Sequence, residues 1–418
     1  MTLRRLIALV SCLALAVLVT VSTASASKKV HKSDNITVWL MVDAQTAWPD
    51  VVKDANDAYH AATGGTATVV YKTWGTYLQD FDAALIAGSA PDVIEFGNTQ
   101  AAKYVATKPA GAVLSAVNRS TFDNSAKWLK GLDVGVFKGK TYAVPYYAGS
   151  RLATYIPSYY KAAHVSVPPK SLAAFQAGAV KIMKKNKSKR GFSAVYTAGT
   201  DWYVAMGFVF DYGGGIATFS HGKWHSLLNK AGSIAGLKAY KSFFLAASRA
   251  RKTGNEANPT PYSVMAAGKA ATLLGPGWFG CCVGKYVGKT KQFVIPSHVR
   301  GNVMPGFLGG SVLAVPKAGK ANNTAGAVIW IKNFTSTASE KKIQATGNIP
   351  NATNLLIPSH LNEKAAQRSW FVPVAANWAA VENGNILRTM LAQILTNRLS
   401  IKNAANNAGD NIELTLNS

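Results

Sequence analysis

Two glycine-containing motifs have the spacing of phosphate-binding sites. Gly275-Pro-Gly-Trp-Phe-Gly280 fits a dinucleotide-binding turn, and Gly288-Lys-Thr290 fits the end of a phosphate-binding loop. A dinucleotide site needs a helix directly after the turn and an acidic residue about 20 positions later. Pro276 and the acid-free stretch up to Ser339 contradict both requirements. The phosphate-binding loop fails separately, because Val283 occupies the position of its first glycine. The sequence therefore predicts neither site.

Other common catalytic patterns do not occur in the sequence. There is no His-Glu-x-x-His zinc motif and no Gly-x-Ser-x-Gly nucleophile motif, and the 7 histidines are scattered. A glycosidase needs two carboxyl groups about 5–10 Å apart; no pair of acids stands out, although folding can bring distant acids together. Tyr159-Tyr160 fits a ferric site less well than ring packing at the start of a helix. We therefore predict no catalytic residue, metal ligand or cofactor.

The N-terminus has the order of a secretory signal peptide. Two arginines precede an apolar run over residues 6–21, and Ala24-Ser-Ala26 supplies small residues for cleavage before Ser27. The run is shorter than the roughly 20 residues of a membrane span. Residues 9–12 resemble a lipoprotein cleavage box, but cleavage there would leave apolar residues 13–21 exposed. We expect an exported protein, periplasmic or extracellular and associated with the cell envelope.

The 418-residue chain is strongly basic, with 45 Lys+Arg against 19 Asp+Glu and a net charge of +26. Removal of residues 1–26 would leave 43 − 19 = +24. Export and the scattered lysines argue against nucleic acid, and the run over residues 181–190 is interpreted as a solvated helix end and loop. An electrostatic association with anionic wall polymers or lipid head groups is the use of the charge that we favour over an anionic ligand.

Cys281 and Cys282 are the only cysteines outside the predicted signal peptide. They are adjacent and lie just after Trp278. Two states are open, a vicinal disulfide that stiffens the Gly-Pro-Gly-Trp turn and two reduced thiols packed as small apolar groups. Neighbouring Cα atoms are about 3.8 Å apart, closer than disulfides prefer, so the bond would be easily reduced.

Alternating apolar segments place these features on an α/β fold. Residues 36–41, 66–71 and 92–96 read as strands, and residues 48–62 and an amphipathic stretch with Leu78, Phe81, Leu85 and Ile86 read as helices. This order predicts a largely parallel sheet, and ligands bind such sheets beyond the carboxyl ends of the strands. Loops 42–47, 72–76 and 97–99 are therefore expected to line one cleft.

The rest of the chain continues this alternation. Residues 142–147, 153–157 and 311–315 are expected to be extended, and the helices are expected near residues 201–210, 231–248, 323–334, 337–346, 377–397 and 400–408. The composition, with 48% hydrophobic and 15% charged residues, excludes a disordered chain. The length suggests two or three domains.

Eight segments together resemble one family. In chain order they are ITVW, GSAPDVIEF, YAVPYYAGSRLATYI, SVPPKSLAAF, GKAATLLGPGWFG, LGGSVLAVPK, KNFTSTASEKKIQATGNIPNAT and NWAAVENGNILRTMLAQILTN. The chain resembles the family 1 extracellular solute-binding proteins of ABC importers, the maltose- and oligosaccharide-binding type, over residues 35–405. The resemblance implies two lobes, each a mostly parallel sheet flanked by helices, joined by hinge strands near residues 145–152, 307–312 and 348–354. The N-terminal lobe would hold residues 35–146 and 312–350, and the C-terminal lobe 147–311 and 351–418.

The resemblance also implies which residues touch the ligand. The family's stacking tryptophan matches Trp278, with one glycine inserted before it, a second aromatic position matches Trp378, and a third falls at Asp201-Trp202-Tyr203. The predicted strand-end loops add Asp43, Gln45, Trp74 and Asn98, and the hinge crossings add Tyr146, Tyr147, Arg151 and Gly310. For each aromatic residue the alternative role is core packing. Tyr146 and Tyr147 are equally good candidates for ligand contact. Asp43 could instead cap the helix that begins near Trp48.

The predicted function is capture of a carbohydrate, a di- or oligosaccharide, by a monomer that delivers it to the permease subunits of an ABC importer. Relatives of this architecture also bind polyamines, phosphate esters or iron, so a non-sugar ligand is the first alternative. An exported carbohydrate-active enzyme is the second. The sequence names neither the sugar and its linkage nor the importer.

Overall fold

The structure is a computed structural model that describes residues 35–74, 76–106 and 112–418, apart from the side chain of Cys281. The predicted signal peptide lies outside the described residues. In the described part of the chain, no helix is long and apolar enough to cross a membrane.

The strands and helices alternate along most of the chain. The strands are β1 (Ile36–Met41), β2 (Ala67–Lys72), β3 (Val93–Gly97), β4 (Val136–Phe137), β5 (Lys140–Thr141), β6 (Ala143–Gly149), β7 (Arg151–Tyr155), β8 (Ala217–Ser220), β9 (Lys223–Ser226), β10 (Thr272–Pro276), β11 (Lys291–Val294), β12 (Gly306–Phe307), β13 (Gly309–Ala314), β14 (Ile349–Pro350) and β15 (Ser369–Trp370). The helices are α1 (Val42–Ala47), α2 (Pro49–Thr63), α3 (Tyr77–Ile86), α4 (Ala101–Val105), α5 (Pro157–Ala162), α6 (Leu172–Lys185), α7 (Trp202–Asp211), α8 (Ala231–Ala247), α9 (Pro261–Ala266), α10 (Thr324–Phe334), α11 (Thr337–Ala345), α12 (Leu361–Ala366), α13 (Trp378–Asn383), α14 (Ile386–Leu395) and α15 (Ile401–Asn417).

The first lobe is built on a six-stranded sheet with the order β14-β6-β13-β3-β1-β2. Strand β1 is parallel to β2 and β3, whereas β13 is antiparallel to β3 and β6. Helix α2 begins with Pro49 at its first turn and ends at Gly64, whose φ of 73° favours glycine. The apolar face of α2 packs on α10, where Trp330 is fully buried and its indole nitrogen donates a 2.8 Å hydrogen bond to Asn56.

The second lobe has a smaller sheet and a larger apolar core. Strand β7 lies between β10 and β11 and is antiparallel to both. Helices α7 and α8 pack against each other, and the C-terminal α14 and α15 close the same core. Strands β6 and β7 are separated by Ser150 alone, so one nearly continuous extended segment runs from the first sheet into the second.

Three expectations about the elements need correction. The sheets are not mostly parallel: β13 and β14 add three antiparallel pairs to the first sheet, and both strand pairs of the three-stranded sheet are antiparallel. Local alternation of strands and helices does not fix strand direction, because sheet neighbours need not be consecutive along the chain. Residues 42–47 form helix α1 instead of a loop. Of the four apolar residues expected on α3, Ile86 alone is exposed, at 89%; Phe81 is buried, together with Tyr77, and Leu78 and Leu85 are partly buried. The two-lobed α/β fold itself is confirmed, and the lobe boundaries stay a prediction.

Candidate functional site

The first lobe presents Trp74 at the end of its parallel strands. Asp43 lies in the first turn of α1, directly after β1, and Trp74 follows β2. The indole nitrogen donates a 2.8 Å hydrogen bond to Oδ2 of Asp43, and the ring, 41% exposed, meets the edge of Tyr77 at 5.6 Å. Gly97 leaves room for this ring, since a Cβ there would lie 3.3 Å from it. Gln45 is exposed on the same helix.

Asp43 does not cap α2, the alternative raised by the sequence. Trp48 is the residue before that helix, and no side chain caps it. The carboxylate of Asp43 instead accepts the hydrogen bond from Trp74. Its place in the ligand site stays a prediction.

A buried carboxyl group lies under this wall. Glu95, on β3, accepts a 2.8 Å hydrogen bond from the backbone nitrogen of Met41, while its Oε1 is buried and has no hydrogen bond of ordinary geometry among the described residues. Burial raises the pKa of Glu95 to about 7, and the charge of Asp43 adds to the rise. The buried hydroxyl of Ser311 lies beside Glu95 and Tyr147, and its hydrogen bonding lowers the pKa of both groups without cancelling the rise from burial. Burial raises the pKa of the neighbouring Tyr147, and the negative charge of Glu95 adds to that rise.

Asn98 and Gly310 connect the segment after β3 with the start of β13, one of the strands that cross between the lobes. The side-chain nitrogen of Asn98 donates to the carbonyl oxygens of Gly131, at 3.0 Å, and Leu308, at 2.9 Å, and its oxygen accepts from the nitrogen of Gly310. A Cβ on Gly310 would lie 1.9 Å from the carbonyl oxygen of Tyr147. Both residues therefore hold the crossing strands together, and both N–H groups of the Asn98 amide already donate to backbone carbonyls.

Arg151 is the cationic group at the start of β7. Its guanidinium lies over the rings of Tyr203, at 4.9 Å, and Phe307, at 5.2 Å. Its Nε is buried with no hydrogen-bond partner, and no carboxylate within the described residues forms an ion pair with it. Burial lowers the pKa of Arg151, while Asp201 opposes that shift. A buried donor without a partner is costly, and a ligand oxygen would satisfy the Nε of this half-buried side chain.

Asp201 belongs to a charged group behind Arg151. Its Oδ1 accepts from the backbone nitrogen of Val204 and so caps α7. Burial raises the pKa of Asp201 to about 7, and the negative charge of Glu256 adds to the rise. Glu256 is held by Arg388 in a two-pronged pair whose Nη1–Oε2 distance is 2.7 Å. Asp201 therefore positions the helix and the charges around the cleft.

Trp278 stands beside the hinge on an exposed turn. Pro276 pairs with Arg151 between β10 and β7, and the nitrogen of Gly277 donates to the carbonyl of Ser150. The ring of Trp278 is 54% exposed and rests edge-on against Phe279 at 5.0 Å. This is the accessible aromatic surface that the sequence placed in the second lobe.

Three of the sequence-derived aromatic candidates lie inside the cores. Trp378 has no exposed surface, and its indole nitrogen donates a 2.6 Å hydrogen bond to Glu382. Trp202 is buried against it, with ring centroids 6.0 Å apart, and stacks at 4.0 Å on the partly exposed Tyr203. Tyr146 is buried and accepts a hydrogen bond from the indole nitrogen of Trp48, whereas Tyr147 is partly exposed. Tyr147 and Tyr203 are therefore partly exposed, whereas Tyr146, Trp202 and Trp378 are buried.

Cys282 is disulfide-bonded, while the side chain of Cys281 lies outside the described part of the chain. The vicinal pairing therefore stays a prediction.

Glu95, Ser311 and Phe307 are buried residues beside the candidate site that the sequence did not single out. Glu95 had a usable signal, since it is the acid within the buried strand of Asp92-Val-Ile-Glu-Phe96 and lies near the strand's carboxyl end. Phe307 and Ser311 lie in the predicted crossing over residues 307–312, but no local pattern marks either one, because tertiary contacts bring them beside Arg151 and Glu95.

Residues 54–366, more than half of the chain, match the family of bacterial extracellular solute-binding proteins. The chain belongs to this family. A curated relative, the diacetylchitobiose-binding protein DasA of Streptomyces coelicolor, is 28% identical over 389 residues, which cover 87% of this chain and 86% of the relative.

Solved structures share the same two-lobed fold. The GacH receptor of Streptomyces glaucescens, studied unliganded and with acarbose, superposes with a TM-score of 0.74 at 19% identity, over 91% of this chain and 98% of the receptor. The maltose-binding protein MalE of Listeria monocytogenes, in complex with maltose, gives 0.73 at 17% identity, over 92% and 99%. These relatives are binding proteins.

Proposed function

We propose that the protein captures a di- or oligosaccharide in the cleft between its lobes and delivers it to the permease subunits of an ABC importer. The observation that carries this proposal is the pair of exposed tryptophans, Trp74 and Trp278, on either side of strands that carry Tyr147 and Arg151. Sugars present C–H faces that stack on aromatic rings and hydroxyl groups that need charged or amide partners. The cleft offers both.

The register of the strands connects the two walls. Gly97, under Trp74, pairs with Ser311, and Ser311 pairs with Tyr147. On the other side, Pro276, two residues before Trp278, pairs with Arg151. A ligand held by both tryptophans would therefore also meet the hinge, and its binding would favour the closed arrangement of the lobes.

The names of the relatives support a sugar. A protein that is 28% identical over most of the chain binds diacetylchitobiose, and proteins of the same fold bind maltose and acarbose. Diacetylchitobiose is therefore the first ligand to test.

We infer that the protein binds without chemistry, as an exported monomer held near the anionic envelope by its positive charge. Calorimetry should show one site per chain, and the sugar should be recovered unchanged. A ligand at 100 times its dissociation constant should add about 2.7 kcal/mol to the free energy of unfolding.

A thermal-shift screen of the mature protein tests the proposal, with diacetylchitobiose, maltose, maltotetraose and acarbose as probes. A polyamine, a sugar phosphate and a ferric chelate form the comparison set. Stabilisation by a sugar supports the proposal. Stabilisation by the comparison set alone, or release of a cleaved sugar, would overturn it.

A further inference from the structure

A second concave surface lies on the second lobe, formed by α6, the loop after it and α8. It is a groove of about 570 Å³, and the basic side chains that line it are Lys184, Lys187, Lys189, Arg190 and Arg249. None of the residues placed in the cleft lines this groove. A ligand here would therefore bind independently of the one between the lobes.

Three of these cations are available to a ligand. Lys189 is hydrogen-bonded to the hydroxyl of Tyr159 at 3.2 Å, and Arg249 donates to the carbonyl of Ser248 at 2.9 Å. Lys184, Lys187 and Arg190 are exposed, and within the described residues they form no hydrogen bond or ion pair. Their charges point to a partner outside the chain.

The surrounding sequence does not neutralise these charges. No Asp or Glu occurs from residue 134 to 200 or from 212 to 255, a span that includes all of α6 and α8. Like charges that gather without acids raise the local potential and attract anions.

The groove also has apolar walls. Val180, on α6, is 47% exposed, and Leu245, on α8, is 43% exposed. A partner that fits must therefore offer repeated negative charges together with short carbon segments. A concave surface suits a chain that lies along it better than a flat bilayer.

We propose that this groove binds a linear phosphodiester-linked polyol polymer of the cell envelope. Phosphate groups contact Lys184, Lys187 and Arg190, and the carbon backbone lies between Val180 and Leu245. The groove then retains the protein at the envelope while the cleft stays free to bind its solute.

The test measures binding of the full mature protein to poly(glycerol phosphate) by biolayer interferometry at low and physiological salt. The groove variant is Lys184→Glu, Lys187→Glu and Arg190→Glu combined. The control combines Lys130→Glu, Lys341→Glu and Lys402→Glu at exposed sites elsewhere. Each variant therefore lowers the net charge by three times two, or six units. We expect the groove variant to bind at least about tenfold more weakly and the control at most about threefold more weakly.

Equal losses in the two variants would overturn the proposal, because they would indicate attraction by net charge alone. Binding to phosphatidylglycerol vesicles with none to the polymer would also overturn it. If the glutamate variant does not fold, Lys184→Gln, Lys187→Gln and Arg190→Gln combined removes the charges with less repulsion. If diacetylchitobiose stabilises the wild type and the groove variant equally, a loss of polymer binding is distinct from a failure of the proposed function.

Discussion

The indole nitrogen of Trp74 donates a 2.8 Å hydrogen bond to Oδ2 of Asp43. This bond joins the segments that follow β1 and β2 and holds an exposed ring at the carboxyl edge of the sheet. A tryptophan orientated in advance loses less conformational freedom when a ligand stacks on it. We therefore propose that Asp43 positions Trp74 and offers its second oxygen to the ligand.

Replacement of Trp74 separates its ring from its hydrogen bond. Trp74→Ala should weaken sugar binding by at least about tenfold, because stacking and buried ring area are both lost. Trp74→Phe keeps a ring without the nitrogen and should lose less. Calorimetry of both variants checks this order; equal losses would show that the hydrogen bond, not the ring, matters.

Trp278 is expected to form the opposite wall. Trp278→Ala should weaken binding by at least about tenfold, which corresponds to about 1.4 kcal/mol. The matched control is Phe219→Ala, since Phe219 is 59% exposed on the β8–β9 hairpin. Its binding should stay unchanged. Equal affinities of wild type and Trp278→Ala, with both proteins folded, would place Trp278 outside the site.

Much of the fold could be predicted from local patterns. The apolar runs, Pro49 and Gly64 locate β1, α2 and β2 to within about one residue, because each signal acts on its own segment. Strand direction could not be predicted in the same way. The antiparallel partners of β7 are β10 and β11, more than 100 residues further along the chain, and no local pattern specifies a pairing at that distance.

The candidate site was predictable only in part. Sequence places Trp278 after a glycine turn, and there the ring is exposed. Trp378 and Trp202 also match aromatic ligand positions of the family, yet both rings are buried, because helices α13 and α7 face the core with these residues. Exposure depends on the rotation of a helix against its neighbours, and aromatic rings serve core packing and ligand stacking equally well.

Asn98 should matter for stability because its amide joins three backbone groups. Asn98→Ala leaves the carbonyls of Gly131 and Leu308 and the nitrogen of Gly310 without their partner. We expect the free energy of unfolding to fall by about 2–4 kcal/mol. Urea denaturation measures it, with the exposed Asn411→Ala as a control expected within about 0.5 kcal/mol of wild type. A loss of that small size in Asn98→Ala would contradict the structural role.

Cys282 is expected to pair with Cys281. Mass spectrometry of the protein from an oxidising compartment, alkylated without reduction, should find one peptide that is two hydrogens lighter than the dithiol. Mild reduction should weaken ligand binding through the neighbouring Trp278 turn, while the melting temperature of the ligand-free protein changes little, because so short a loop barely constrains the unfolded chain. Two alkylated thiols would refute the pairing.

Glu95 should make the stability of the protein depend on pH. Burial raises its pKa from 4.5 to about 7, so the folded state binds the proton more tightly than the unfolded state. Stability is therefore unaffected by this group below about pH 4.5, falls as pH rises toward 7, and stays reduced above it. The total loss is about 3 kcal/mol, from 1.36 kcal/mol per pKa unit.

The comparison of wild type with Glu95→Gln isolates this effect. Urea denaturation at pH 5, 6, 7 and 8 should show the variant gaining stability relative to wild type as pH rises, by up to about 3 kcal/mol. Asp201, whose pKa burial also raises to about 7, is present in both proteins, so its contribution cancels in the difference. Parallel pH profiles for the two proteins would mean that Glu95 has the same proton affinity folded and unfolded. The expected rise in the pKa of Glu95 would then be wrong. The hydrogen bonds from Met41 and Ser311 would in that case stabilise the ionised carboxylate enough to cancel the effect of burial.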